Sequence, residues 1–230
     1  MANLSTSDEE RDLGVIISKD GKFGSHISTC ISNANRKLGM LRNTFEYFNK
    51  DIAKILYPSL VRSKLEFGHA VWNPYLKGDI DDLEDVQKRA TNTSDLRHLS
   101  YENRLQRLNL TSLYTRRIRG DLIQVYKIIN KFDKIEWNPS NKIIQISDDE
   151  VGEMGRRNKY RLEREIVKNC PQRHNFLLNR TAPIWNQLPN EIVYAKSINS
   201  FKHRIDNFIG TEKWKSLVLV ANDYDWNRLI

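Results

Sequence analysis

The sequence predicts a mainly α protein: a helical bundle with a minor β element near the N-terminus and a second, small helical or irregular part toward the C-terminus. Apolar residues recur at spacings of three and four over long stretches, which is the period of helices with one buried face. The stretches are joined by short polar connections, which favours antiparallel packing of neighbours. Only one short apolar run in the first half, residues 13–17 (LGVII), has the length and β-branched content of a buried strand. At 230 residues and 39% hydrophobic content, burial alone stabilises one sizeable core or two small ones.

Taken in order, residues 1–11 are polar and acidic without periodicity and are expected to form a disordered leader. The strand at residues 13–17 closes with a turn at Lys19-Asp20-Gly21, and its partner must come from far along the chain or from upstream. From Ser25, the predicted N-cap, Ile27, Ile31, Ala34, Leu38, Leu41, Phe45 and Phe48 follow at spacings of 4, 3, 4, 3, 4 and 3, one face of a long amphipathic helix. A second helix, capped near Asp51, carries Ile52, Ile55, Leu56, Leu60 and Phe67; Pro58 is expected to kink it or to mark its true start. The aromatic loop Val71-Trp72-Asn73-Pro74-Tyr75 ends that unit.

Ile80, Leu83, Val86 and Ala90 predict a third helix, and Ser100 caps a fourth with Leu105 and Leu108. Leu113, Ile118, Leu122, Val125 and Ile129 predict a fifth, entered from cap-rich residues 109–112. The pattern lapses over residues 132–155, which hold Pro139 and the acidic triplet Asp148-Asp149-Glu150, and a linker is placed there. Residues 160–167 suit a strand or a poor helix equally. Phe176, Leu177, Ile184, Trp185 and Leu188 suggest a helix interrupted at Pro183, and Ser197 caps a last one with Ile198, Phe201, Ile205 and Phe208 on one face. The expected organisation is thus a leader (1–11), a helical domain (12–131), a linker (132–155), a basic C-terminal subdomain (156–209) and a tail (210–230).

The net charge is +8 and the isoelectric point about 9.4, an excess that favours polyanions. Its location is more informative. Residues 1–80 hold 11 basic and 9 acidic side chains and residues 81–150 hold 12 of each, whereas residues 151–209 hold 11 basic against 5 acidic. Within the balanced middle, Arg97, Arg104, Arg107, Arg116, Arg117 and Arg119 form a second arginine-rich zone. The longest uncharged apolar run, residues 217–222, is far too short to span a bilayer, so no membrane partner is expected.

The sequence offers little for catalysis. It contains no Gly-x-Ser-x-Gly, no phosphate-binding Walker loop and no His-Glu-x-x-His, and His69, His98 and His203 have no nucleophile or orienting acid at a telling distance. His26-x-x-x-Cys30 and Cys170-x-x-x-His174 hold four zinc-type ligands, but the pairs lie far apart and lack a Cys-x-x-Cys, so both cysteines are read as thiols and no cofactor is expected. Tyr47, Trp72, Tyr75, Tyr101, Tyr114 and Trp185 are capable of stacking on bases, yet they fall on apolar faces and at element ends, where core packing is the commoner role.

An ordered set of short words says more than any of them alone. Asp12-Leu13-Gly14-Val15, Phe23 with His26-Ile27, Ala34-Asn35-Arg36-Lys37-Leu38-Gly39, Leu60-Val61-Arg62, Leu65-Glu66-Phe67 and Val71-Trp72-Asn73-Pro74-Tyr75 occur in sequence. They are followed by Val86-Gln87-Lys88-Arg89-Ala90-Thr91, Leu96-Arg97, Tyr101, Arg104-Leu105, Arg116-Arg117, Arg119-Gly120-Asp121-Leu122, Tyr126-Lys127, Trp185-Asn186, Leu188-Pro189 and Ser200-Phe201-Lys202. This series, from Asp12 to Ile209, resembles the region that follows the polymerase motifs in LINE-type (non-LTR) retrotransposon reverse transcriptases, in particular the jockey-like branch. The resemblance implies that residues 13–17 correspond to the end of a palm domain, residues 25–91 to a thumb, and the remainder to the C-terminal segment. It also implies that the carboxylates of polymerisation lie upstream of Leu13, so that this chain is not expected to polymerise on its own.

Together, charge and resemblance predict non-sequence-specific binding of RNA, DNA or their hybrid. The candidate contacts are Arg36, Lys37, Arg42, Lys88, Arg89, Arg104, Arg107, Arg116, Arg117 and Arg119, with Arg156 and Arg157 in the C-terminal part. A palm domain or another protein is the alternative partner, and an intracellular location, nuclear or cytoplasmic, is expected.

Overall fold

The computed structural model describes residues 6–135, 143–145, 160–165 and 167–223. Mainly α architecture is what the sequence predicts and what the structure has. Two compact units are present, Met1–Arg117 and Ile118–Ile230, and the boundary falls inside a helix, not in the expected linker at 132–155. Most of that stretch lies outside the described residues.

The first unit opens with a correction. Part of the expected leader is ordered: β1 (Glu9–Asp12) pairs antiparallel with β2 (Val15–Ser18), so the strand's missing partner is its immediate neighbour. Leu13 and Gly14 form the two-residue turn with φ of 46° and 91°, the left-handed geometry that matches the twist of a hairpin. The Phe67 ring lies against Gly14, where a Cβ would come within 3.3 Å of it, so glycine is required for contact as well as for conformation.

Helix α1 (Gly24–Thr44) buries Ile27, Ala34, Leu38 and Leu41 as the spacing predicts. Ser25 is not its cap; Phe23 holds that position without a side-chain bond, and the Ser25 hydroxyl donates instead to Glu9. His26 joins the helix to the hairpin. Its Nδ1 accepts the Ile16 amide at 3.2 Å, which leaves the proton on Nε2 to face Cys30 Sγ at 3.4 Å, and its ring packs edge-on to Trp72 with centroids 5.1 Å apart.

Asn49, not Asp51, caps α2 (Lys50–Leu56), accepting the amides of Asp51 and Ile52 at 3.1 and 3.0 Å. Pro58 stands in the first turn of a new helical segment, one of the two roles expected of it. The chain widens into a π-helical turn (Tyr57–Arg62) and continues as α3 (Ser63–Glu66). A proline has no amide to give its preceding turn, and wider winding accommodates that loss. The expected aromatic loop begins as a short helix, α4 (His69–Trp72), whose buried Trp72 donates Nε1–H to Phe67 O at 2.7 Å.

Three further helices follow as predicted: α5 (Lys77–Thr91), α6 (Tyr101–Leu108) with Ser100 as its cap, and α7 (Leu113–Ile129). A buried polar hub ties them to the π-helical turn. Tyr57 Oη donates to Gln87 Oε1 at 2.8 Å; Gln87 Nε2 donates to Tyr101 Oη at 2.8 Å and to Thr111 O at 3.1 Å; Tyr101 donates to Glu84, whose Oε2 accepts the Leu113 amide at 2.9 Å. The apolar core around this hub runs from Val15 through Leu38, Val61, Trp72, Leu83 and Ala90 to Leu113.

In the second unit the undecided stretch resolves into β4 (Tyr160–Leu162), paired with β3 (Ile143–Gln145). Asn186 holds β4 from both sides: its Oδ1 accepts the Leu162 amide and its Nδ2 donates to Leu162 O, each at 2.9 Å. The helix Leu177–Trp185 runs through Pro183 uninterrupted, since a proline this near the end removes little of the ladder. Ser197 caps Ile198–Phe208 as predicted, and Phe201 stacks on Tyr126 at 4.3 Å. The expected tail, residues 210–230, contains a helix. Glu212–Asp223 is a helix started by Thr211, with Trp214 buried edge-on to Phe208.

Two predictions follow from these ties. Burial, with Arg11 adding to it, lowers the proton affinity of His26, so the fold is bound to the neutral ring. The unfolded chain takes up that proton at about pH 6.5. The fold takes it up only at lower pH, so this stability is whole above that value and drains as the pH falls. Urea unfolding from pH 7 to 5 should show a loss of stability that is shallower in His26→Gln, and an unchanged profile would refute the role of His26. Removing the Glu84 carboxylate with Glu84→Ala leaves the Leu113 amide and Tyr101 hydroxyl without an acceptor and should cost about 2–4 kcal/mol. Glu84→Gln, which keeps one acceptor oxygen, is expected to cost about half as much in the same denaturation experiment.

Candidate nucleic-acid interface

A side chain contributes to phosphate binding when its charge is displayed and not already neutralised, so each candidate cation is defined by where its helix points it. On α1, Arg36 lies opposite the buried stripe and is exposed, while Lys37 sits half-buried beside Leu38. Neither makes an ion pair among the described residues. Arg42, in the last turn, is spent differently: its Nη2 donates at 2.6 Å to Arg89 O, which also accepts the Asn92 amide at the end of α5. Arg89 in turn donates Nη2 to Asn35 Oδ1 at 3.2 Å, which clasps α1 to α5 while both guanidinium groups stay largely in solvent.

Lys88 pairs with Asp85 one turn away at 2.7 Å, and the hydrogen bond to that carboxylate raises the ammonium's proton affinity. Arg104 lies 5.8 Å from the centroid of the Tyr101 ring, a cation–π contact within α6. Arg107, at the end of the same helix, is exposed and makes no ion pair among the described residues.

The arginines of α7 turn inward. Arg116 grips Glu66 with both ends of its fork, Nη2 to Oε2 being 2.9 Å, and Arg62 approaches the same carboxylate at 3.5 Å. Burial and the neighbouring Arg116 lower the proton affinity of Arg62. Arg117 is buried, at 3% exposure. In the second unit Arg119 binds Asp206 bidentately, with Nη2 to Oδ2 at 2.7 Å, and Arg180 does the same with the buried Asp121 at 2.8 and 2.9 Å. The α7 members of the arginine-rich zone are therefore committed within the fold. Helical period shows that two arginines share a face but does not show that a carboxylate 50 or 87 residues away lies against it. Arg156 and Arg157 lie outside the described residues.

A feature that spacing alone did not flag adjoins Arg107. A cleft of about 440 Å³ opens between the start of α2, the 93–99 connection and the end of α6. Lys50 and Lys54 line it one helical turn apart, with His98 and Arg107 beyond them, over Leu96, Leu99 and Leu108. The signal in the sequence was the pair Lys50-x-x-x-Lys54 directly after a capping asparagine. Asp95 also lines the cleft, but it accepts the Lys50 amide at 3.1 Å and the Thr93 hydroxyl at 2.7 Å. Burial opposes its ionisation, and those hydrogen bonds outweigh burial and hold the carboxyl below its usual range.

Among the described residues no group of three or more His, Cys, Asp or Glu side chains is placed to hold a metal ion. Cys30 and Cys170 are free thiols, and burial pushes Cys30 up to about 11, which makes it a poor nucleophile. Of the aromatic candidates, Trp72 and Trp185 are core residues and Tyr101 belongs to the polar hub, whereas Tyr47 is 71% exposed. No described helix is long and apolar enough to cross a membrane.

No family model, no curated protein and no solved structure matches the chain.

The two kinds of arginine are separable by experiment. Arg116→Ala and Arg119→Ala should lower stability by about 1–2 kcal/mol each, because they leave Glu66 and Asp206 without their forks. Arg36→Ala and Arg107→Ala should stay within about 0.5 kcal/mol of the parent protein. Equal stabilities for all four in thermal unfolding would show that the α7 pairs contribute nothing.

Proposed function

We propose that the protein binds nucleic acid without reading sequence, as a helical module similar to the thumb and post-thumb region of non-LTR retrotransposon reverse transcriptases. RNA, DNA and their hybrid share the one feature the module would recognise, a polyphosphate backbone. The observation that carries the reading is the display of Arg36, Lys37 and Arg107 without ion pairs among the described residues, on a chain of net charge +8. The collinear words from Asp12 to Ile209 support it from the sequence side.

Binding of this kind releases counterions, so affinity should fall steeply with salt. Titrating a labelled RNA–DNA primer-template at several salt concentrations should give a logarithmic slope of several units, about 0.9 per duplex phosphate engaged. Arg36→Ala combined with Lys37→Ala should flatten that slope by about 1–2. Salt-independent or undetectable binding refutes the reading.

A second reading, docking of a protein, is favoured by the apolar surface of the first unit. Leu13 is 88% exposed, and Phe67 and Val71 are 57% and 58% exposed. The Phe67 ring adjoins the Leu13-Gly14 turn, which makes part of this surface continuous.

A further inference from the structure

We propose that the cleft at the start of α2 seats one unpaired nucleotide unit, its phosphate held by Lys50, Lys54 and Arg107 and its planar body over Leu96, Leu99 and Leu108. The inference deepens the nucleic-acid reading and rests on it, but it assigns the contact to residues of which only Arg107 belongs to the predicted set.

Size comes first. About 440 Å³ lies in the range of small-ligand sites, roughly 300–1,000 Å³, and is far too little for a duplex. Chemistry comes second. Leu96, Leu99 and Leu108 line the floor, and the half-buried Leu99 offers the apolar surface that a flat uncharged ring system would meet. The rim has three basic side chains from two different helices, and none of Lys50, Lys54 and Arg107 makes an ion pair among the described residues, although the Lys50 charge also favours ionised Asp95. A ligand anionic at one end and apolar at the other fits this lining, and on the nucleic-acid reading that ligand is a nucleotide.

The backbone does not compete for the anion. The first amides of α2 are already taken, Lys50 by Asp95 and the next two by Asn49, so the side chains must hold the phosphate. Two carboxylates oppose it. Asp95 is occupied by its own donors, whereas Asp51 offers its charge to the cleft without a side-chain partner among the described residues. Asp51 is thus a gauge of the proposal: a phosphate in the cleft gains when that charge is removed, and a merely structural role for the residue gives no such gain.

The test uses the full chain and a short fluorescent oligothymidylate, followed by anisotropy at two salt concentrations. Lys54→Ala with Arg107→Ala should weaken single-strand binding roughly tenfold and flatten the salt slope by about 0.7, the contribution of the one phosphate seated. Asp51→Asn should tighten binding, and Lys64→Ala, an exposed cation outside the cleft, should leave it unchanged. Duplex of the same length should be affected less than threefold by the double variant. Thymidine monophosphate should compete better than inorganic phosphate, because the ring is seated as well as the phosphate.

Equal losses from Lys64→Ala and from the double variant would overturn the cleft as the seat while leaving general binding intact. Weaker binding in Asp51→Asn, equal losses on duplex, or equal competition by inorganic phosphate would also overturn it. No binding of any nucleic acid by the parent protein would remove the functional reading itself.

Discussion

The first unit depends on a polar hub placed where apolar contact would ordinarily rule. Tyr57, Gln87, Tyr101 and Glu84 draw the π-helical turn, α5, α6 and the first residue of α7 to one point, and Gln87 is wholly buried. Such a group is tolerable inside a protein only when every donor and acceptor finds a partner, because a buried unpaired group costs more than a formed bond returns. The arrangement is therefore close to all-or-none, and it specifies which helices meet more strictly than leucine contacts do. The leucines and alanines around it provide the bulk of the driving force; the hub fixes the register in which they pack.

The same competition for partners decides which charges reach the outside. Arg116 and Arg119 lie three residues apart on one helix, yet each is matched to a carboxylate from a distant part of its own unit. Arg42 and Arg89 are half-committed, bonding to carbonyl and amide groups while keeping most of their surface in water. What remains displayed is a smaller and more dispersed set than the composition suggests, and it includes lysines of α2 that no arginine-counting argument would select. Net charge governs attraction at a distance, but contact depends on the remainder after internal pairing.

Much of this architecture was legible in the amino-acid order, and the failures have physical causes. The stripe from Ile27 to Leu41, the Ser100 and Ser197 caps and the apolar faces of α5 and α7 all follow from period and capping chemistry, which are local. The hairpin was missed because a leucine, not an asparagine, occupies its left-handed turn position, and because acidic β1 has no apolar face to betray it. Asn49 and Asp51 are both good caps, and only the backbone angle at Asn49 separates them. The helix Glu212–Asp223 carries its signal mainly in Trp214 and Leu217, too few positions to establish a period. For the cations the missing information was entirely non-local.

The widened turn at Tyr57–Arg62 has a consequence for how this chain tolerates change. An ordinary helix advances about 100° per residue, so one position of extra winding sets the phase of everything after it. Downstream of the turn, that phase puts Leu65 in the core and swings Glu66 round to meet Arg116. Losing a single residue there would let Lys50–Glu66 regularise into one uninterrupted rod, locally more comfortable and globally misaligned, with Leu65 rotated off its seat. Length variation is at this place equivalent to re-addressing an entire face of the molecule.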